Sequence, residues 1–159
     1  MAMASYAIAL GSNRRSRHGS PAATLIAACE AIAQLGTIER FSAIRSTPAL
    51  GPAGRGFANA ALILRSKLDP SELLSGLKRL ERDFGRRGGR RWGPRVLDLD
   101  IILWSEGAWA ADGLTIPHPA FRARSFVLEP LAEIAAGWRD PITGRTIRQL
   151  LARNRHPRG

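Results

Sequence analysis

The sequence predicts an α+β domain with the order strand, helix, strand, strand, helix, strand, followed by a C-terminal helical extension. Three observations point to it. Four short apolar segments read as strands; two segments between them carry apolar residues at helical spacing behind capping signals; Gly- and Pro-rich runs separate the pieces. That order is the split βαβ arrangement, in which helices pack on an antiparallel sheet.

Each element has its own signal. Tyr6, Ile8 and Leu10 alternate with small residues, a strand pattern that Gly11-Ser12-Asn13 ends. Ser20-Pro21 offers an N-cap with proline at the first helical position, Leu25, Cys29, Ile32 and Leu35 follow at helical spacing, and Gly36 closes the segment. Residues 38–46 read as a second strand, 47–56 as a Pro/Gly loop, and Phe57 to Arg65 as a third strand. Asp69-Pro70-Ser71-Glu72 has the form of a capping box, after which Leu73, Leu77, Leu80 and Phe84 mark one helical face. Gly85 to Pro94 is a glycine- and arginine-rich loop, and Val96 to Leu103 a fourth strand. A loop around Pro117-His118-Pro119 and an apolar helix over Phe126–Ala136 complete the chain, with Arg153 to Gly159 read as a frayed tail.

The 159 residues suit one domain, 1–159, with a core over about 5–136. The single cysteine, Cys29, has no internal disulfide partner and reads as a small core residue. No stretch approaches the roughly 18 apolar residues of a membrane span, and Met1 to Leu10 lacks the basic region of a cleaved signal, so a cytoplasmic protein without a membrane partner is expected. Net charge is +11, carried by 22 Arg against 2 Lys. Such a balance favours an anionic partner, although abundant Arg and Ala also follow from GC-rich coding.

Asp98 and Asp100 are the most informative residues. In a strand their side chains share one face, with Leu97, Leu99 and Ile101 on the other, and their attachment points stand about 7 Å apart. Such a pair can converge on one metal ion or on two, and carboxylate oxygens suit Mg²⁺ that also binds substrate phosphates. Two solvated acids at a strand edge are the plain alternative. Just before them, Arg79, Arg82, Arg86, Arg87, Arg90, Arg91 and Arg95 bring seven guanidinium groups, each a planar fork for phosphate oxygens. Gly85, Gly88 and Gly89 would let that loop close over a ligand. An acidic metal site beside a cationic loop is what phosphoryl transfer needs. A basic loop for RNA or DNA is the plain alternative, and Trp92 could stack on a base in either case. No P-loop sequence occurs.

The run Arg91-Trp92-Gly93-Pro94-Arg95-Val96-Leu97-Asp98-Leu99-Asp100-Ile101-Ile102 resembles the signature of the 6-hydroxymethyl-7,8-dihydropterin pyrophosphokinases. Further blocks resemble the same family in the same order: Ala9-Leu10-Gly11-Ser12-Asn13, Ser46 to Pro52, Phe57 to Ala61, Leu114 to His118, and Arg124 to Leu131. The resemblance implies a ferredoxin-like fold and transfer of pyrophosphate from ATP to 6-hydroxymethyl-7,8-dihydropterin in folate biosynthesis. It implies two Mg²⁺ ions on Asp98 and Asp100, and catalytic roles for Arg86, Arg90, Arg91 and Arg95, with Arg87 in the same loop. For the pterin it points to Thr47, Pro48, Leu50, Phe57, Asn59, Trp92 and Phe126; for ATP, to Glu81, Trp92, Arg95, Ile101, Thr115, His118 and Arg124. Phe57 stands where many members have tyrosine, and Lys78 and Gly113 replace polar residues that contact nucleotide in some relatives. A monomer is expected. The rival is a ferredoxin-like RNA-binding module, which should carry exposed aromatics on its central strands; here those segments are rich in Ala, Ile and Leu.

Overall fold

The computed structural model describes residues 2–47, 56–85 and 96–155. The elements are β1 (Ala4–Ser12), α1 (Pro21–Ile32), β2 (Thr37–Phe41), β3 (Arg45–Thr47), β4 (Phe57–Ser66), α2 (Pro70–Gly85), β5 (Asp98–Trp104), β6 (Trp109–Ala111), β7 (Leu114–Ile116), a 3-10 turn (Phe121–Ala123), α3 (Ser125–Ala135) and α4 (Ile147–Arg155). The main sheet runs β2-β4-β1-β5, with β3 also pairing to β4, and every pairing is antiparallel. This is the predicted split βαβ arrangement.

Local chemistry starts both crossover helices as read. The Ser20 hydroxyl accepts from Ala23 N–H at 3.2 Å, with Pro21 next. At α2, Asp69 Oδ1 accepts from Glu72 N–H at 2.8 Å and Glu72 Oε1 from Asp69 N–H at 3.0 Å, a complete capping box.

Gly36 has a different task from the one expected. Helix α1 stops at Ile32, and a Cβ on Gly36 would run into the Arg65 carbonyl oxygen. Glycine is needed there for close approach of backbone to β4 and not as a helix cap. The predicted strand at 38–46 is two strands, because the chain departs from the ladder at Ser42. Its hydroxyl accepts from Ala61 N–H at 2.9 Å, and Ala43 N–H turns to Glu133 Oε2 at 2.7 Å.

Alternation along the central strands divides the interior in two. Tyr6, Ile8 and Leu10 of β1, with Leu97, Leu99 and Ile101, pack under α1 and α2. Ala7, Ala9, Ala61, Ile63 and Ile102 face α3 and α4, where Leu128, Leu131, Ile147 and Leu151 cover them. Cys29 packs against the first core, and burial pushes its thiol above the ordinary range, with Glu30 adding to the shift. Of the tail read as frayed, 153–155 belong to α4, which buries Ile147, Leu150 and Leu151 against the second core, and 156–159 lie outside the described residues.

The hairpin β6–β7 was not anticipated from the sequence. Asp112 and Gly113 both take positive φ, 55° and 74°, as a two-residue turn of right-twisted strands requires. No helix among the described residues is long and apolar enough to cross a membrane.

Candidate active site

The site begins with small residues on β1. Ala9 lies opposite Asp100 on one side and Ala61 on the other; Gly11 lies opposite Asp98 and Asn59. These positions point to the α3 face of the sheet, where larger side chains would fill the space. Above them a cleft of about 730 Å³ opens between the ends of β1, β4 and β5 and the start of α3. Asp98 and Asp100 line it on the same face, with Leu97, Leu99 and Ile101 buried on the other, as the strand alternation predicts.

Two aromatic side chains flank this cleft. Phe57, at the start of β4, is 51% exposed, and Phe126, in the first turn of α3, is 50% exposed. Large apolar side chains left in water on a soluble domain mark binding surfaces more often when they border a concavity. Phe57 pairs with Thr47 in the ladder, which brings Thr47 to the same rim, while Asn59 follows on the same face of β4. Arg124 also lines the cleft, its guanidinium carbon 5.8 Å from the Phe126 ring centroid.

A second group gathers at the outer edge of β5. Glu81 of α2 accepts from Leu99 N–H at 2.8 Å through Oε2 and pairs with Lys78 at 3.3 Å through Oε1; its side chain is 11% exposed. Its carboxylate therefore braces β5 as well as standing beside the edge. His118 donates its backbone N–H to Ile102 O at 3.0 Å, and Nδ1 accepts from Ala120 N–H at 3.1 Å. Burial lowers the pKa of this imidazole, Asp100 opposes that shift, and Arg124 adds to it. A neutral ring with Nδ1 accepting carries its proton on Nε2, which is left as a donor. Thr115 lies exposed on β7. The Ile101 side chain is 2% exposed in the core beneath α1 and α2, so this residue offers a ligand only its backbone.

Thus Thr47, Phe57, Asn59, Asp98, Asp100, Arg124 and Phe126 share one cleft, and Glu81, Thr115 and His118 border the adjoining strand edge. Pro48, Leu50, Arg86, Arg87, Arg90, Arg91, Trp92 and Arg95 lie outside the described residues. Ala9, Gly11, Ser12, Asn13 and Val127 line the cleft without having been singled out as site residues. Gly11-Ser12-Asn13, a break placed at the end of an apolar strand, was the signal for three of them.

The donor set suits Mg²⁺. Among the described residues no third His, Cys, Asp or Glu joins Asp98 and Asp100 in a cluster able to enclose a metal. Two carboxylates without a full protein cage fit a cation that keeps waters and takes substrate phosphate oxygens, and they do not fit a structural zinc.

Residues 7–136 match the family described as 7,8-dihydro-6-hydroxymethylpterin-pyrophosphokinase (HPPK). The chain is 46% identical over 114 residues to the 2-amino-4-hydroxy-6-hydroxymethyldihydropteridine pyrophosphokinase of Synechocystis sp., a match covering 72% of this chain and 58% of that protein. It is 41% identical over 133 residues to the protein of the same name from Haemophilus influenzae, covering 81% and 80%. Plasmodium falciparum HPPK-DHPS has the same fold, with a TM-score of 0.73 at 13% identity, over 96% of this chain and 45% of that one. The chain therefore spans little more than half of the Synechocystis relative and under half of the Plasmodium chain. With residues 7–136 matched by the family and a relative 41% identical over 133 residues, the chain belongs to the 7,8-dihydro-6-hydroxymethylpterin-pyrophosphokinase family.

Proposed function

We propose that this chain transfers the pyrophosphoryl group of ATP to 6-hydroxymethyl-7,8-dihydropterin, giving AMP and the pterin diphosphate, within folate biosynthesis. The observation that carries the proposal is one cleft lined both by two half-exposed aromatic rings, Phe57 and Phe126, and by two carboxylates, Asp98 and Asp100. A flat heteroaromatic substrate and an anionic, metal-bound one are both accommodated by that combination. The sheet face that an RNA-binding module would leave open for bases is instead buried under α3 and α4.

In this reading Phe57 and Phe126 hold the pterin ring by stacking. The Asn59 amide, which offers both donor and acceptor, meets the ring's polar edge, with Thr47 beside it. The hydroxymethyl oxygen attacks the β-phosphorus of ATP. A new oxygen–phosphorus bond forms, the bridge between the α- and β-phosphorus breaks, AMP departs, and the hydroxyl proton passes to solvent. Asp98 and Asp100 would hold Mg²⁺, which when bound neutralises triphosphate charge and orients the attacking oxygen. Arg124 and the Nε2–H of His118 face phosphate oxygens, and the arginines between 86 and 95 add positive charge to the transferred group. ATP would lie along the outer edge of β5, near Glu81 and Thr115 and the Ile101 backbone. The reaction needs no covalent nucleophile. A monomer in the cytoplasm is the setting proposed for it.

The test is a product assay with Mg²⁺, ATP and 6-hydroxymethyl-7,8-dihydropterin, separating AMP from ADP. Pterin-dependent AMP without ADP supports the proposal. ADP, or no nucleotide turnover by the folded protein, rejects it.

A further inference from the structure

Asp140 belongs to none of the elements that line the cleft, and it lies beyond residue 136, where the family match ends. Its side chain is nevertheless fully buried. The carboxylate accepts four hydrogen bonds: Oδ2 from Arg122 Nε at 2.5 Å and Thr143 Oγ1 at 2.7 Å, Oδ1 from Arg122 Nη2 at 2.8 Å and Ile142 N–H at 3.0 Å. Four bonds use the full accepting capacity of a carboxylate, and two of them form a bidentate fork on one guanidinium.

Asp140 is itself held by a tight turn. Its N–H donates to Arg145 O at 2.8 Å and its carbonyl accepts from Gly144 N–H at 2.8 Å, with Gly144 at φ 74°. Helix α4 adds Asn154, whose Nδ2 donates to the Arg122 carbonyl at 3.4 Å. The C-terminal segment thus grips Arg122 by both its guanidinium and its backbone.

Arg122 sits in the 3-10 turn Phe121–Ala123, two residues before Arg124 and four before Phe126. Phe121 is fully buried, and its carbonyl accepts the Arg124 N–H at 3.2 Å. The turn is therefore pinned at Phe121 and Arg122, and the next residues carry the Arg124 guanidinium and the Phe126 ring into the cleft.

We propose that Asp140 is a positioning residue, which fixes the 3-10 turn through Arg122 and so sets where Arg124 and Phe126 stand in the cleft. The inference rests on the pterin-binding reading given above. A carboxylate serving only stability would alter how much protein is folded and not how the folded protein binds.

Direct titration of 6-hydroxymethyl-7,8-dihydropterin, followed by its own fluorescence in the presence of Mg²⁺ and a non-hydrolysable ATP analogue, separates the two. With Asp140→Ala, at a temperature where circular dichroism shows the variant folded, pterin affinity is expected to fall about tenfold. Asp140→Asn, which keeps the shape and part of the bonding, should lose less, and it carries the same comparison if Asp140→Ala does not fold. Combined with Phe126→Ala, the Asp140 substitution should cost clearly less than the product of the two single losses, because both act on one ring. Unchanged pterin affinity in a variant of lowered Tm would overturn the inference, as would losses that simply multiply. Wild-type protein that binds no pterin and forms no AMP would sink the pterin reading, and this inference with it; wild-type activity with an uncoupled Asp140 would sink the inference alone.

Discussion

A Cβ on Gly11 would stand 3.3 Å from Asn59 Oδ1, the side-chain amide directly across the β1–β4 ladder. Glycine at this position leaves the amide room to turn toward the pterin edge it is proposed to meet. Gly11→Ala is expected to weaken pterin binding by roughly three- to tenfold while changing Tm little, since the displaced group is an accessible side chain and not the core. Fluorescence titration of the pterin beside thermal unfolding checks this. A large fall in Tm with unaltered affinity would mean that Gly11 serves packing only.

The two aspartates share one face and line one cleft, so under the proposed function each should be indispensable to turnover and dispensable to folding. Asp98→Ala and Asp100→Ala are expected to lower pterin-dependent AMP formation by at least about 10²–10³-fold, in the range of losing one transition-state electrostatic partner. Circular dichroism should report a folded protein in both. Turnover near that of the wild type in either variant would remove that residue from the proposed metal site.

Glu81 should show two effects at once, because its carboxylate braces β5 and also borders the edge proposed for ATP. Glu81→Ala leaves the Leu99 N–H without its partner, a loss of about 1–3 kcal/mol for a group shielded from water. Glu81→Gln keeps an acceptor for that N–H and should recover most of the stability. If the KM for ATP rises in the Gln variant while Tm holds, the carboxylate charge contacts nucleotide. An unchanged KM in the Gln variant would confine Glu81 to bracing the strand.

Asp140 gives a pH signature. Burial pushes its carboxyl upward, but the Arg122 fork, Thr143 and the Ile142 N–H outweigh that and hold it at about 2, below the ordinary 3.8. A folded-state pKa depressed in this way contributes stability that is complete above about pH 4 and is lost as pH falls toward about 2. The contribution is ~2 kcal/mol at neutral pH. Urea midpoints of wild type and Asp140→Asn should therefore differ most at pH 5–7 and converge as pH drops from about 4 toward about 2. A gap independent of pH would show that the lost bonds are not those of an ionised carboxylate.

The sequence by itself determined the βαββαβ order of the core, both crossover-helix starts and the shared face of the aspartates. These depend on neighbouring residues: Ser20 bonds three positions on, Asp69 and Glu72 cap one another, and the two-residue spacing of Asp98 and Asp100 is the strand repeat itself. The Asp112-Gly113 turn is equally local, an Asp-Gly hairpin signal.

Only the tertiary structure decided what long-range contacts impose. Glu133 of α3 supplies the acceptor that draws Ala43 out of the ladder and splits one strand in two. The approach of Arg65 to Gly36, and not a helix end, requires the glycine. Nothing in Arg139-Asp140-Pro141 names a partner for the carboxylate until Arg122, distant in sequence, folds against it. Local hydrogen bonds and side-chain periodicity are written in adjacent residues, whereas the partner of a buried carboxylate is known only once the chain has closed on itself.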